Sequence, residues 1–549
     1  MHDVDRARAL ADRFWEELLE DEPLLGTVAG DERYDDRLPD PSDTGRARRQ
    51  ERRRAALREL GEIDRRALDE TLRTTLDVLE AIAERELAEI DHRLDRLRAV
   101  THLWGPGQLL GEIGSMQRAD TPARLDRLVA RLTTAPEYYA AESEVAREGV
   151  GAGVTAPRVV VERTIAQVER LLEAGAAASP ALSAIPDDDT AGAERVTEVI
   201  DTHVMPALAA YLDVLRTYLP SATESIGLSA LPNGDAMYEA EILGYTTLAL
   251  SAEEVHALGV EDLAKIQEER REVAARLGAE DAAAAIAALE ASGRNHAASK
   301  EDLVRLAEDQ VRRSWEAAPG YFGRLPSDNC EVRAVEGYRE ADMPFAFYNP
   351  PSQDGTRRGV YYVNGSDLSD RPLHHLATTT YHEANPGHHF QITLEQEMGE
   401  RPALRRFGGL VAGAAFIEGW GLYSERLADE MGLFKDEIER LGMLDAQAMR
   451  AARLVVDSGI HAFGWSRDRA IAQMEEAAVA HVDAVIEVDR YITLPGQALS
   501  YKVGQFEIEC QRAAAAAREG VGFDLRTFHD RLLALGSIPL PSLRRELGG

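Results

Sequence analysis

The chain is poor in cysteine, in aromatic residues and in long apolar runs. Its 549 residues include two cysteines, Cys330 and Cys510, which lie far apart, so neither a disulfide framework nor a cysteine-based zinc site is predicted. Aromatic residues make up only 6% of the chain, while Ala, Leu, Arg and Glu are abundant, which favours helices over sheets. No run approaches the ~18 apolar residues that a membrane span needs.

Basic charge is scarce relative to acidic charge. Lys and Arg number 62 against 96 Asp and Glu, which leaves a formal net charge of −34 at pH 7. Such acidity disfavours nucleic acid and anionic membranes as partners, whereas a homodimer is compatible with it. The first residues, MHDVDRARALADRFWEELLEDEP, are charged throughout and lack the apolar segment of a signal peptide. We therefore expect a cytoplasmic location.

Apolar residues recur at helical spacing along most of the chain. Helices are predicted at about 5–21, within 44–100, and at about 121–148, 157–175, 191–218, 251–293, 373–384, 402–431, 433–463 and 466–487. The Pro-, Gly- and Ser-rich segment 218–238 is the clearest linker. It suggests an N-terminal helical half, 1–230, and a half carrying the candidate site, 231–549, unless both form one continuous domain. The best strand signal is RGVYYVNGSD at 358–367, so the prediction is a mainly α fold with a small β element.

Five of the 14 histidines fall between positions 374 and 389, around the segment TYHEANPGHHFQ. Clustered histidine beside glutamate is typical of metal ligands. A zinc peptidase helix spaces its two histidines four residues apart, but here His388 follows His382 by six. On a regular helix this spacing separates two side chains by roughly 240° and 9 Å, so they could not share an ion. A histidine-rich surface turn is the alternative interpretation.

Pro386 and Gly387 offer a way to bring the two histidines together. Pro386 lacks an N–H and clashes with the carbonyl four residues earlier, which is that of His382. Gly387 permits almost any backbone turn. The helix must therefore bulge or break here, which can return His388 to the side of His382 and place Glu383 beside the metal.

Glu418 is the candidate third ligand, because it lies inside the apolar run GAAFIEGWGLYSERLADE (413–430). A buried, unpaired carboxylate is energetically costly. We therefore expect an arginine, a protonated neighbour or a metal ion beside it. Gly419 and Gly421 would allow another helix or a substrate to come close.

The segments HEANPGHH and EGWGLYSE, together with ARLVVDSGIHAFGWSRDRAI (452–471) and LPGQALSYKVGQ (494–505), resemble the bacterial domain of unknown function 885 family. That family is similar in fold to the carboxypeptidase Taq-type metallopeptidases, which are gluzincins. The resemblance implies one zinc ion per chain, held by His382, His388 and Glu418, with Glu383 as general base. His389 is the alternative to His388, as a ligand or in the shell around the ligands.

Arg453, Asp457 and His461 follow one another at intervals of four residues and share one helix face. They form either an intrahelical charge ladder or part of the site. In the second case His461 donates to the developing oxyanion and Asp457 orients its ring. Tyr501, which follows a Pro-Gly turn, is a second candidate for the oxyanion.

Three residues are candidates for binding substrate. Arg453 and Arg467 could meet a substrate carboxylate, and Tyr361 lies in the strand 358–364, which would pair with extended substrate if it is an edge strand. His374 and His375 lie two turns before His382, too far to share its ion. We interpret them as structural or as part of the outer shell.

These residues predict a zinc-dependent, carboxypeptidase-like hydrolase of peptides. Zinc would lower the pKa of a water molecule and polarise the carbonyl, and Glu383 would move the proton to the leaving amine. Two alternatives stay open. One is a metal hydrolase of a non-peptide amide or ester, and the other is a helical binding protein whose metal site is degenerate.

Overall fold

The computed structural model describes residues 3–337, 340, 343–351 and 357–548. The N-terminal helices are α1 (Asp3–Asp21), α2 (Pro23–Val28), α3 (Asp43–Leu60), α4 (Glu70–Asp91), α5 (Asp95–Arg98), α6 (Leu109–Met116), α7 (Pro122–Thr133), α8 (Ala135–Ala152), α9 (Arg158–Ala174), α10 (Thr190–Val199) and α11 (Met205–Tyr218). Then come α12 (Gly234–Thr246), α13 (Ala252–Arg276), α14 (Ala282–Ala291) and α15 (Lys300–Ala317). The predicted linker 218–238 contains the connection between α11 and α12, residues 219–233, but its last five residues belong to α12.

The C-terminal part begins with a small sheet and ends in helices. Its strands are β1 (Glu331–Ala334), β2 (Ala346–Asn349) and β3 (Val360–Val363). Its helices are α16 (Leu376–Glu383), α17 (His388–Gln396), α18 (Ala403–Phe407), α19 (Gly409–Ala412), α20 (Ala414–Glu430), α21 (Glu437–His461), α22 (Arg467–Glu476), α23 (His481–Thr493), α24 (Ser500–Glu519), α25 (Leu525–Leu535) and α26 (Leu540–Leu547). The predicted mainly α fold is confirmed. Among these helices, none is both long and apolar enough to cross a membrane.

Several of the predicted helices are divided into shorter ones. The segment 121–148 is two helices, α7 and α8, since Pro136 stands in the first turn of α8, where proline starts a helix more readily than it continues one. The segment 251–293 is divided into α13 and α14, and Gly278 between them has a left-handed φ of +73°. Pro136 and Gly278, where these helices are divided, can both be recognised in the sequence as residues that interrupt helices.

The three strands form a sheet in the order β1-β3-β2. Strand β3 pairs in parallel with β1 and antiparallel with β2, so the prediction that it is an edge strand open to substrate is wrong. Its four residues, VYYV, are all buried, as expected for a central strand covered on both faces. Tyr361 is 0% exposed, and its hydroxyl lies 3.2 Å from Oγ1 of Thr380 on α16. This buried position contradicts its predicted contact with substrate.

One large apolar core cluster contains residues from both predicted halves, including Phe14 of α1, Trp420 of α20 and Leu540 of α26. Within it, α20 packs directly on the main chain of α24. A Cβ atom on Gly419 would lie 2.4 Å from the carbonyl carbon of Gly504 and 2.5 Å from its Cα. The position of α20, which carries Glu418, is therefore set by a contact between two backbones.

We predict that Gly419→Ala destabilises the fold, because the added methyl group would force α20 away from α24. Overpacking of this kind costs about 1–3 kcal/mol. The matched control is Gly151→Ala in α8, where an added Cβ has no atom within 4 Å; it should stabilise the helix by about 0.5–1 kcal/mol. Urea unfolding of the two variants measures both effects. Equal stabilities would contradict the close packing of α20 on α24.

Candidate metal centre

The helix that begins with α16 breaks between the two candidate histidine ligands. Helix α16 ends at Glu383 and α17 begins at His388. Between them, Gly387 has φ −79° and ψ −129°, outside the helical region. A Cβ on Gly387 would lie 1.8 Å from the carbonyl oxygen of His382, so a residue with a side chain does not fit here. The predicted break at Pro386 and Gly387 is confirmed.

The break brings three potential ligand atoms together. Nε2 of His382 and Nε2 of His388 lie 3.7 Å and 3.6 Å from the same carboxylate oxygen of Glu418. These separations are too long for hydrogen bonds. They are close to the roughly 3.3 Å between two ligands that each lie about 2.0 Å from a tetrahedral zinc ion. Two imidazoles and a carboxylate are also a donor set that zinc prefers, so the residues fit this ion.

Glu383 lies beside these ligands. A carboxylate oxygen of Glu383 lies within 4.8 Å of one ring nitrogen of His382 and one of His388. These two nitrogens also lie within 4.8 Å of each other. The two histidines are buried, whereas Glu383 and Glu418 are half-buried. The cluster is therefore accessible to solvent on the side of its carboxylates.

The residues around Glu418 on α20 hold the break in place. Trp420 donates from Nε1 to the carbonyl oxygens of Pro386 at 2.9 Å and Gly387 at 3.2 Å. It thus supplies a hydrogen-bond donor to main-chain carbonyl groups at the helix break. A Cβ on Gly421 would lie 2.7 Å from Cε1 of His382 and 3.1 Å from Cε1 of the second imidazole. At Gly421 the neighbours that come close are these two imidazoles, and not the helix main chain or the substrate that was expected.

A buried chain of polar side chains extends behind His382. Its Nδ1 lies 2.8 Å from Oε1 of Glu425. Gln447 on α21 donates to the other oxygen of Glu425 at 3.0 Å. Lys502 on α24 donates to Oε1 of Gln447 at 2.8 Å and pairs with Asp262 on α13 at 2.8 Å.

The direction of every hydrogen bond in this chain follows from Lys502. An ammonium group can only donate, so Gln447 must turn its amide oxygen toward it. The amide NH₂ then faces Glu425, whose carboxylate oxygens accept. His382 must therefore carry a proton on Nδ1. When Nε2 loses its own proton, its lone pair is directed at Glu418 and His388. Zinc-binding histidines commonly have a carboxylate behind them in this way.

The two carboxylates hold positive charge on His382. Burial lowers the pKa of His382, but the nearby carboxylates of Glu418 and Glu425 outweigh burial and raise it to about 9. Burial raises the pKa of Glu418, yet the neighbouring imidazoles bring it well below its usual value. The site thus attracts a cation, and a metal ion competes with a proton for the same atoms.

His389, the alternative ligand, faces away from this cluster. Its Nδ1 lies 2.8 Å from the hydroxyl of Tyr348 on β2, and its Nε2 lies 3.0 Å from the carbonyl oxygen of Asp328. Burial lowers the pKa of His389 to about 4. Both ring nitrogens of His389 are therefore occupied, and the geometry favours His388 as the ligand.

Asp457 and His461 have other partners than predicted. Asp457 accepts a hydrogen bond of 2.6 Å from Tyr238. Nε2 of His461 lies 3.0 Å from the carbonyl oxygen of Tyr491, and its Nδ1 lies 3.4 Å from the amide nitrogen of Leu228. Both side chains are fully buried, so these contacts replace the predicted pair. The position of His461 does not support its role as an oxyanion donor.

The two candidate arginines are paired with carboxylates of α23. Arg453 contacts Glu487 at 2.8 Å, and its guanidinium lies 4.5 Å above the ring of Tyr501. Arg467 contacts both oxygens of Asp489, at 2.7 and 2.9 Å. The structure thus places both arginines in ion pairs with α23. The predicted role of Tyr501 at the oxyanion stays a prediction.

Sequence reasoning missed Trp420, Glu425, Gln447 and Lys502. A signal for Glu425 was present, since it follows Glu418 by seven residues, which is two helical turns on the same face. Gln447 and Lys502 come from α21 and α24, and only tertiary packing brings them to α20.

A separate cavity of about 480 Å³ lies among the N-terminal helices. Glu22, Arg49, Trp104 and Glu142 are among its lining residues, and Val411 reaches it from the C-terminal part. His382, His388 and Glu418 are not among its lining residues. The cluster around Glu418, where acceptor atoms converge, is therefore the better candidate for a catalytic centre.

Two solved structures are similar to the chain along its whole length, whereas no curated protein matches it. One is a "putative lipoprotein" from Colwellia psychrerythraea, with 25% identity and a TM-score of 0.89 over 100% of this chain and 99% of that chain. The other is a "putative lipoprotein of unknown function" from Shewanella oneidensis, with 19% identity and a TM-score of 0.77 over 98% of each chain; this likeness shows the fold alone. The profile described as "Bacterial protein of unknown function (DUF885)" matches residues 23–547. The chain therefore belongs to the DUF885 family.

Proposed function

We propose that the protein is a zinc-dependent, gluzincin-like hydrolase of peptides or related amides. One observation carries the proposal. Nε2 of His382, Nε2 of His388 and an oxygen of Glu418 converge at 3.6–3.7 Å, and Glu383 lies beside them. Two histidines, a distal glutamate and a neighbouring glutamate are the residues that a metallopeptidase of this class needs.

The side chains divide the work of hydrolysis. When bound, zinc supplies positive charge that makes water more acidic and polarises a carbonyl. Glu383 is half-buried beside the ligands, so its carboxylate can accept a proton from water and donate it to the leaving amine. Glu425, which is only 1% exposed, keeps the ring of His382 in one orientation and one tautomer.

Peptides are the proposed substrate class. A gluzincin-like site of the Taq carboxypeptidase type would favour peptides, but Arg453 and Arg467 are already paired with Glu487 and Asp489. Recognition of a terminal carboxylate by these two arginines is therefore no part of the proposal. The same residues around Glu383 would also hydrolyse a non-peptide amide or an ester, and a substrate screen separates these outcomes.

We predict that His382→Ala and Glu418→Ala each remove the zinc ion held by these residues, because each variant loses one of three protein ligands. The measurement is zinc content after equilibrium dialysis against buffered zinc. His481→Ala, at an exposed position on α23, is the matched control and should keep wild-type zinc content. Unchanged zinc in both ligand variants would show that the ligands are misassigned.

We predict that Glu383→Gln binds zinc and folds like the wild type but hydrolyses a mixed peptide library roughly 10²–10⁴ times more slowly. The amide can accept a hydrogen bond but cannot take up a proton at neutral pH. Mass spectrometry of the products measures the rate, and Glu400→Gln at an exposed position is the control. Near-normal turnover by Glu383→Gln would remove this residue from the mechanism.

The hydrogen-bond chain behind His382 allows a sharper test. We predict that Glu425→Gln weakens zinc binding about 10–100-fold, the usual effect of losing such a partner. The introduced amide would direct NH₂ at the NH₂ of Gln447, which Lys502 prevents from turning over. Isothermal titration with zinc measures the affinity.

The matched control exchanges the two groups. In the double variant Glu425→Gln with Gln447→Glu, a carboxylate at position 447 accepts from Lys502 and from the new amide, which in turn accepts from His382. Every donor again faces an acceptor, so part of the lost affinity should return. The assigned hydrogen-bond directions would be contradicted if the double variant loses at least as much zinc affinity as the Glu425→Gln and Gln447→Glu single variants lose together.

A further inference from the structure

A second pair of histidines meets a carboxylate outside the centre described above. His374 and His375 lie in the turn directly before α16, and Asp445 lies on α21. One ligand atom from each of the three lies within 4.8 Å of the other two. His374 and Asp445 are buried, whereas His375 is half-buried, so an ion could reach the cluster from the side of His375.

The separation of these atoms repeats that of the first centre. Nε2 of His374 lies 3.7 Å from Oδ2 of Asp445, the same distance as between His382 and Glu418. Such a gap is too long for a hydrogen bond. It is close to the roughly 3.3 Å between two ligands of a tetrahedral zinc ion.

The other polar side-chain atoms of His374 and Asp445 have hydrogen-bond partners outside the cluster. Nδ1 of His374 lies 3.0–3.1 Å from the side-chain amide of Asn295. Arg270 donates from Nε to Oδ1 of Asp445 at 2.8 Å. Each ligand candidate is thus oriented by a neighbour, and its remaining atom faces the cluster, which is the arrangement of ligated histidines and carboxylates.

Gly442 seats the turn on α21. A Cβ on Gly442 would lie 1.8 Å from the carbonyl oxygen of His374, and the ring of His375 is hydrogen-bonded to the main chain of Gly442. Gly442 precedes Asp445 by three residues, so both lie on the helix face that meets the turn. Helix α21 therefore packs closely against the second cluster at Gly442, as α20 packs against the first at Gly421.

We propose that His374, His375 and Asp445 form a second zinc site, which would raise the expected content from one zinc ion per chain to two. His375 precedes His382 by seven residues, about 10 Å along a helix. Two-metal catalytic sites hold their ions about 3.5–4 Å apart, so this ion would not take part in the chemistry. It would tie the start of α16 to α21 and so position the helix that carries His382.

The second site should bind zinc more weakly than the first. Arg270 places a positive charge beside Asp445, whereas two carboxylates, Glu418 and Glu425, flank His382. Like charge near a cation site lowers its affinity, most strongly in a buried environment. Dialysis against a weak chelator should therefore remove the second zinc ion first.

The test uses the full-length variant His382→Ala with Glu418→Ala, in which the first centre is disabled. After dialysis against buffered zinc, we expect one zinc ion per chain, measured by plasma mass spectrometry. Adding Asp445→Asn and His375→Asn should bring the content close to zero. Asparagine at position 445 still accepts from Arg270, so the fold should persist, which circular dichroism verifies.

Each outcome decides the matter. Zero zinc in the first variant overturns the second site without disturbing any residue of the second cluster. One zinc ion that survives the added substitutions places the metal elsewhere and also overturns it. If the wild type binds one ion that only the second pair of substitutions removes, the second site stands and the metal of the proposed hydrolase fails.

Discussion

The interruption of the helix between Glu383 and His388 determines what the rest of the site can do. The main chain of Gly387 lies against the carbonyl oxygen of His382, at a position where a Cβ would come within 1.8 Å. The helix is interrupted at this contact, and both imidazoles face Glu418. Without it, the six-residue spacing would direct the two rings to different sides of one helix.

Three neighbouring residues of helix α20 contact the interrupted segment or its two histidines. Glu418 faces both imidazoles, Trp420 donates to the carbonyls of the break, and Gly421 leaves room for the rings. Gly419 brings α20 onto α24, whose Lys502 sets the direction of the hydrogen bonds that end at His382. Burial lowers the pKa of Lys502, so its charge depends on its carboxylate partner on α13.

The sequence was sufficient for local features that Pro, Gly and helical periodicity control. Those features are the mainly helical fold, the break at Gly387 and the helical position of Glu418. The sequence was misleading about side chains and strands whose contacts come from distant segments of the chain. The spacing of Asp457 and His461 suggested a pair, but Tyr238 from α12 takes the carboxylate. Likewise a strand that looked exposed, 358–364, is flanked by two short strands with weak signals of their own.

We propose that one metal ion sits between His382, His388 and Glu418. A crystal of zinc-loaded wild-type protein, measured on both sides of the zinc absorption edge, tests it most directly. We expect an anomalous difference peak within about 2.0–2.2 Å of both Nε2 atoms and of a Glu418 oxygen. A zinc-saturated crystal without a peak among these three side chains would contradict it.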